Sequence, residues 1–230
     1  MLKKSIFLTV ILIGVFSLGG VGSALAITFN TPSGSTDTAG DPVSATAVFT
    51  FSDNTVTITL TNNQVGENNV GQNISDLEFS LGSLTTGTLI SSSGLERTVN
   101  SNKTFTDGSV VATGWVLTPG ATFLLDVLSG AGHAGPAHTI IGPASADGKY
   151  DDAKGSIAGN SAHNPFLAET VTFTLKVPGV TAATTVSDVG FSFGADPIPG
   201  TPVPLPPSAL LLGSGLLGMG LMGFRRKLKV

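Results

Sequence analysis

Apolar and polar residues alternate with a period of two through most of the chain. Ala45, Ala47, Phe49 and Phe51 share one face of a first run; after Ser52-Asp53-Asn54, Val56, Ile58 and Leu60 share one face of a second, whose other face is threonine. Strict alternation marks a strand with one dry and one wet side, and the short polar break between the runs marks a hairpin. The same period returns at Leu77, Phe79 and Leu81; at Val111, Thr113, Trp115 and Leu117; at Phe123, Leu125 and Val127; at Val171, Phe173, Leu175 and Val177; and at Val189, Phe191 and Phe193. Shorter runs at 27–29, 88–90, 95–99 and 138–141 predict further strands. No long amphipathic helix interrupts them. About nine or ten short antiparallel strands with half-apolar faces need a second layer to cover them. The pattern therefore predicts an all-β fold, an antiparallel β-sandwich over 27–194, with a closed β-barrel as the alternative that satisfies the same alternation.

The rhythm stops at both ends. Lys3 and Lys4 precede an apolar run at 6–18, then Gly19 and Gly20, then Ala24-Leu25-Ala26. Small residues at −3 and −1 place a cleavage after Ala26, so 1–26 reads as a signal peptide for the Sec translocon and signal peptidase. At the other end, 195–207 is a proline-rich linker, 209–224 is uncharged and apolar, and Arg225, Arg226, Lys227 and Lys229 follow. An apolar run closed by cations enters a membrane and stops there, so 208–230 reads as a transmembrane helix with a basic tail. At about 1.5 Å per residue the run covers roughly 24 Å, short of a comfortable span, and an extended 205–208 makes up the difference.

Charge sharpens the division. Six of the eleven basic residues sit in the two end segments, while all fifteen acidic residues lie between them, leaving fifteen acidic against five basic and ten negative charges on the body. That balance argues against nucleic acid or anionic lipid as a partner for the body. The absence of cysteine excludes a disulfide framework, a thiolate metal site and a cysteine nucleophile.

The order of proline motif, Leu- and Gly-rich apolar helix and terminal Arg/Lys cluster resembles the PEP-CTERM sorting signal of exported bacterial proteins. The match covers roughly the last 29 residues, with Val203, Pro204, Leu205 and Pro206 in a Val-Pro-Leu-Pro form that stands where the usual signal has Pro-Glu-Pro. The resemblance implies export by Sec, transient membrane anchoring, and recognition and cleavage of the tail by an exosortase-type membrane enzyme. An ordinary C-terminal membrane anchor is the competing interpretation of the same segment. The body also resembles the Thr- and Gly-rich β domains that such proteins carry, which implies no activity.

Candidate chemistry concentrates in the irregular stretch 129–168. Residues 130–135 match GxGxxG, but Pro136 follows and no helix opens to receive a phosphate, so the stretch reads as a glycine-rich turn. Gly155-Ser156-Ile157-Ala158-Gly159 lacks the central serine of a nucleophile elbow. His133, His138 and His163 show no metal-ligand spacing and read as loop residues. Asp147, Asp151 and Asp152, with Asn160 and Asn164 downstream, offer the hard oxygen donors calcium takes, although the EF-hand spacing is not met and a solvated turn is the favoured reading. Trp115 and Tyr150 are the lone members of their types, few for a polysaccharide platform, and Trp115 shares a face with core positions. The residues thus point to an exported, surface-associated or extracellular-matrix protein with a non-catalytic structural or adhesive role and no required cofactor. The competing class is a secreted hydrolase or calcium-dependent carbohydrate-binding module with its site in 129–168, which His163, Asp151 and Asp126 would form if the fold gathered them.

Overall fold

The computed structural model describes residues 26–129, 131–194 and 196–203; within them the chain is all-β, with one 3-10 turn at Val70–Gln72 and no α-helix. The expected signal segment with Ala24, and the tail with Pro204, Leu205, Pro206 and the apolar run, lie outside the described residues. The strands are β1 (Ala26–Asn30), β2 (Ala45–Ser52), β3 (Thr55–Asn62), β4 (Ile74–Ser80), β5 (Thr88–Val99), β6 (Phe105–Val111), β7 (Val116–Thr118), β8 (Phe123–Asp126), β9 (Ile140–Ile141), β10 (Phe166–Lys176), β11 (Ser187–Phe193), β12 (Asp196–Pro199) and β13 (Thr201–Pro202).

The β2–β3 hairpin has the expected register, Ala45 opposite Asn62 and Ser52 opposite Thr55. Its turn places Asn54 at φ 54°, a left-handed conformation that asparagine tolerates better than most residues. Threonines fill the outer faces, where β-branched side chains suit the pleat, and the Thr61 and Thr170 hydroxyls bond across strands at 3.0 Å.

All thirteen strands belong to one hydrogen-bonded mixed sheet, and this corrects the expectation of two separate antiparallel layers. The joint is β9: Ile140 pairs with Ile74 of β4, while Leu167 and Ala168 of β10 run parallel to it. On one side of the joint lie β10, β3, β2, β1 and β13, with β5 and β6 on the other edge of β10; on the other lie β4, β11 and β12, with β8 and β7. The sheet is open, because β12 and β13 end its path and do not pair with each other. The barrel alternative fails on that point.

The two arms nevertheless face each other in a sandwich-like arrangement. Phe49 of β2 meets Phe79 of β4 edge-on with ring centroids 5.2 Å apart, and Trp115 sits 5.2 Å from Phe173 of β10, although neither contact joins hydrogen-bonded strands. Phe49, Phe79, Phe123, Phe173, Ile58 and Leu60 are fully buried there. Each contributes roughly 1.5–3 kcal/mol by leaving water. The strand expected over 111–117 is broken at Gly114, whose φ of 71° and closeness to Ala134 leave no room for a side chain. Trp115 is still core, and its indole N–H donates to the His138 carbonyl at 2.9 Å.

Within the stretch read as a linker, β12 pairs with β11 and β13 pairs with β1. Pro197, Pro199 and Pro202 cannot donate to a ladder, but these are edge strands, where proline is tolerated. The segment read as a linker is extended, and it runs docked from one arm's edge to the other's. The Val203 amide donates to the Thr28 carbonyl at 2.8 Å, which sets Val203 close to Ala26 on β1. The end of the sandwich holding Ala26, the 52–55 turn and Val203 is the exit pole; the end holding Asn30, Asn62 and Phe166 is the distal pole.

Candidate functional site

The distal pole carries a polar cap over a second small core. Val99, Ile141, Tyr150, Ile157 and Phe166 form that core, separate from the main one. Above it, Asn62 at the end of β3 donates from Nδ2 to Glu67 Oε1 at 2.7 Å, to the Ile140 carbonyl at 2.9 Å and to the Gln72 carbonyl at 3.1 Å. Glu67 is wholly buried; its Oε1 also accepts from the Gly142 amide at 3.1 Å, while Oε2 has no partner among the described residues. Burial pushes its carboxyl up to about 8, against the pull of the Gly142 and Asn62 donors, so it carries a proton at neutral pH. The turn that follows it is fixed by a capping box, in which Asn69 accepts from the Gly71 amide and Gln72 reaches back to the Asn69 amide.

Arg97 of β5 ties this cap to the sheet. Its guanidinium bonds both oxygens of Asp107 on β6, at 2.7 and 3.0 Å, Glu169 on β10 at 3.0 Å and the Tyr150 hydroxyl at 3.1 Å. Phe105 lies under it, 4.0 Å from ring centre to the guanidinium carbon. Tyr150 donates onward to the Gly142 carbonyl at 2.8 Å, and burial pushes its phenol up to about 12. A continuous hydrogen-bonded chain thus runs from Glu169 at the surface, through Arg97, Tyr150 and Gly142, to Glu67. Glu169 reaches Arg97 because it sits at φ 56° within the register shift between Leu167 and Val171. Next to Arg97, Glu96 meets His138 Nε2 at 3.1 Å, and His138 Nδ1 lies 2.9 Å from the Thr113 carbonyl.

A second polar cluster lies on the outer face of the other arm, where Asp76 of β4 stands opposite Asp126 of β8. Asp126 accepts from the Leu128 and Ser129 amides at 2.7 and 3.2 Å and from the Ser129 hydroxyl, and His133 Nε2 lies 3.7 Å away. Burial foremost, with the charges of Asp126 and Glu78 adding to it against a Ser192 hydrogen bond, pushes Asp76 up to about 6.

The positions singled out in the sequence are not drawn into one centre. Asp147 accepts from the Lys149 amide at 3.1 Å and Asp152 from the Ile157 amide at 2.8 Å, while Lys103 reaches the Asp151 carbonyl, so each aspartate sits in its own turn contact. Asp126 belongs with Ser129 and His133, whereas the His163 amide is held by the Asn160 carbonyl. Among the described residues no three His, Asp or Glu side chains converge closely enough to hold a metal ion. His138 and His133, read as loop residues, prove to be engaged with Glu96 and Asp126. Tyr150 and Trp115 are both buried, which leaves neither ring free for stacking on a sugar. An open depression of about 480 Å³ does lie on the cap, between 98–101 and Gly159, Ser161, Asn164 and Pro165, lined by amides and hydroxyls without an aromatic side chain. Comparison of the chain with family models, with curated proteins and with solved structures gave no match.

Proposed function

We propose that this is an exported protein of the bacterial cell surface or extracellular matrix, delivered by Sec and sorted through its PEP-CTERM-like tail, with a structural or adhesive role and no catalysis of its own. The supporting observation is the closeness of the two chain ends on the folded body. Ala26, after which signal peptidase is expected to cut, lies in β1, and the Val203 amide, next to the motif residues Pro204, Leu205 and Pro206, bonds the Thr28 carbonyl of the same strand. Ala26 and Val203, the described residues next to the two end segments, therefore lie at one pole. A membrane at that pole would face the body end-on, with the polar cap farthest from it. Apart from Glu67 Oε2, the cap's side chains bond one another and the neighbouring backbone, and Arg97 braces β5, β6, β10 and the loop holding Tyr150.

The test is a chain truncated after Val203, expressed in the native host and followed by cell fractionation. The full chain is expected at the cell surface or in the matrix, and the truncated chain in the periplasm or medium without surface retention. An unchanged distribution would contradict the sorting role of the tail.

A further inference from the structure

We propose that Asp147 is a site of spontaneous covalent modification, where the backbone rearranges through a cyclic imide to isoaspartate, while the fold protects the identical dipeptide at Asp107. Asp-Gly occurs twice in the chain, at Asp107-Gly108 and Asp147-Gly148, and Asn-Gly does not occur. Aspartate before glycine is especially open to this reaction, because glycine has no side chain to shield the attacking amide nitrogen or to restrict its backbone. The two copies share their chemistry and differ in their surroundings.

The step needs no co-reactant but water. The Gly148 amide nitrogen attacks Asp147 Cγ; the N–Cγ bond forms, the Cγ–OH bond of the protonated carboxyl breaks, and the amide proton leaves with that hydroxyl as water. The imide ring then takes water back. Addition at the Asp147 main-chain carbonyl leaves Gly148 joined through Cγ, so the backbone gains one carbon and the former main-chain carboxyl becomes the side group. Addition at Cγ restores aspartate.

At position 147 the geometry favours closure. Residues 146–149 are all exposed, and nothing lies within 4 Å of the place a Gly148 side chain would take. The Lys149 amide donates to Asp147 Oδ1 at 3.1 Å, which folds the carboxyl over its own following peptide, toward the Gly148 nitrogen. The Gly148 amide must first release the Ser145 carbonyl, 2.8 Å away, and an exposed turn opens at little cost. At position 107 the carboxyl is drawn across to β5. Arg97 holds both its oxygens, at 2.7 and 3.0 Å, so reaching the Gly108 nitrogen would give up both bonds and take a partner from a guanidinium only 6 % exposed. The 145–149 turn leads directly into Tyr150, which bonds Arg97 and the Gly142 carbonyl, so the added backbone atom falls beside the cap's central brace. Given the export reading above, a copy outside the cell is also beyond cofactor-dependent repair in the cytosol, and the product accumulates with age.

The test is to age the full chain in detergent micelles for weeks at physiological pH and temperature, in water enriched in heavy oxygen, beside a sample unfolded in guanidinium chloride. Asp-N protease cuts before aspartate and spares isoaspartate, and each passage through the imide leaves one heavy oxygen in the peptide. In the folded sample both signals are expected to accumulate at least about tenfold faster at Asp147 than at Asp107, because closure at Asp107 waits for a rarer opening. In the unfolded sample the two sites should react within about twofold of each other, since an open chain gives both the same freedom. Asp147→Glu, whose longer side chain would have to close a larger ring, should leave that turn unmodified. Equal rates at the two sites in the folded sample would overturn the proposal. So would the same contrast in the unfolded sample, because it would then owe nothing to the fold. Neither result depends on export or on cleavage of the tail.

Discussion

The two ends of this molecule are held by different forces. Between the arms, the main core is built from stacked phenylalanines such as Phe79 and Phe123, 5.4 Å apart, contributed by strands with a regular period. At the distal pole a much smaller apolar cluster is capped by a buried arginine, a buried tyrosine and a protonated glutamate that brace irregular loops. Hydrophobic burial is non-directional and tolerates change, whereas a buried polar network holds one geometry and loses heavily when a single partner is removed. The sandwich supplies stability; the cap supplies a fixed loop shape at the pole away from the chain's exits.

Substitutions should separate the two regions. Phe173→Ala in the main core is expected to lower unfolding free energy by about 3–5 kcal/mol, because it leaves a cavity beneath Trp115. Chemical denaturation measures this, and hydrogen exchange should rise over the whole body. Arg97→Ala removes one charge from a buried cluster, a change worth about 3–5 kcal/mol when the stranded partners stay dry. Here the expected loss is nearer the low end, since Glu169 is 44 % exposed and returns to water. Its signature is local: amides around Tyr150 and Ile157 should exchange before those of β2 and β3. Uniform exchange in that variant would contradict the division into two regions.

The third prediction concerns pH. Glu67 rises from 4.5 to about 8 on folding, so the folded state keeps a proton that the unfolded state releases, and stability falls as pH rises from about 4.5 to about 8. Asp76 acts with the same sign between 3.8 and about 6. From pH 6 to 8 the slope due to these two belongs to Glu67, on the order of 1 kcal/mol per pH unit. Glu67→Gln keeps a neutral side chain with an oxygen for the Asn62 and Gly142 donors, and should flatten that part of the curve in denaturation midpoints taken at half-unit steps. The smallest effect is expected at the calcium candidates. Asp147→Asn should change stability by less than about 0.5 kcal/mol, as surface positions generally do. Millimolar calcium should leave the melting temperature unmoved, because a ligand bound only by the folded state would raise it.

The main core is largely legible in the sequence because period-two alternation and burial are the same fact seen twice: the alternation puts Phe49, Ile58, Leu60, Phe79 and Phe173 on inward faces, and all five are buried. The cap was not. Its partners Glu67, Arg97, Asp107, Tyr150 and Glu169 lie far apart along the chain, and no local pattern distinguishes Glu67 in Gly-Glu-Asn-Asn from an exposed loop acid. The joint at β9 was hidden for a similar reason, since two isoleucines in an irregular stretch do not announce a parallel partner. The prolines of 197–202 read as a linker from composition, but an edge strand tolerates residues that donate nothing on its outer side.

The central claim is that an independently folded body lies between two removable address segments that leave it at one pole. Intact-mass analysis of the protein recovered from its native host tests this most directly. The account predicts a chain beginning at Ile27 and ending within 204–208; a chain running unbroken from Met1 to Val230 would contradict it.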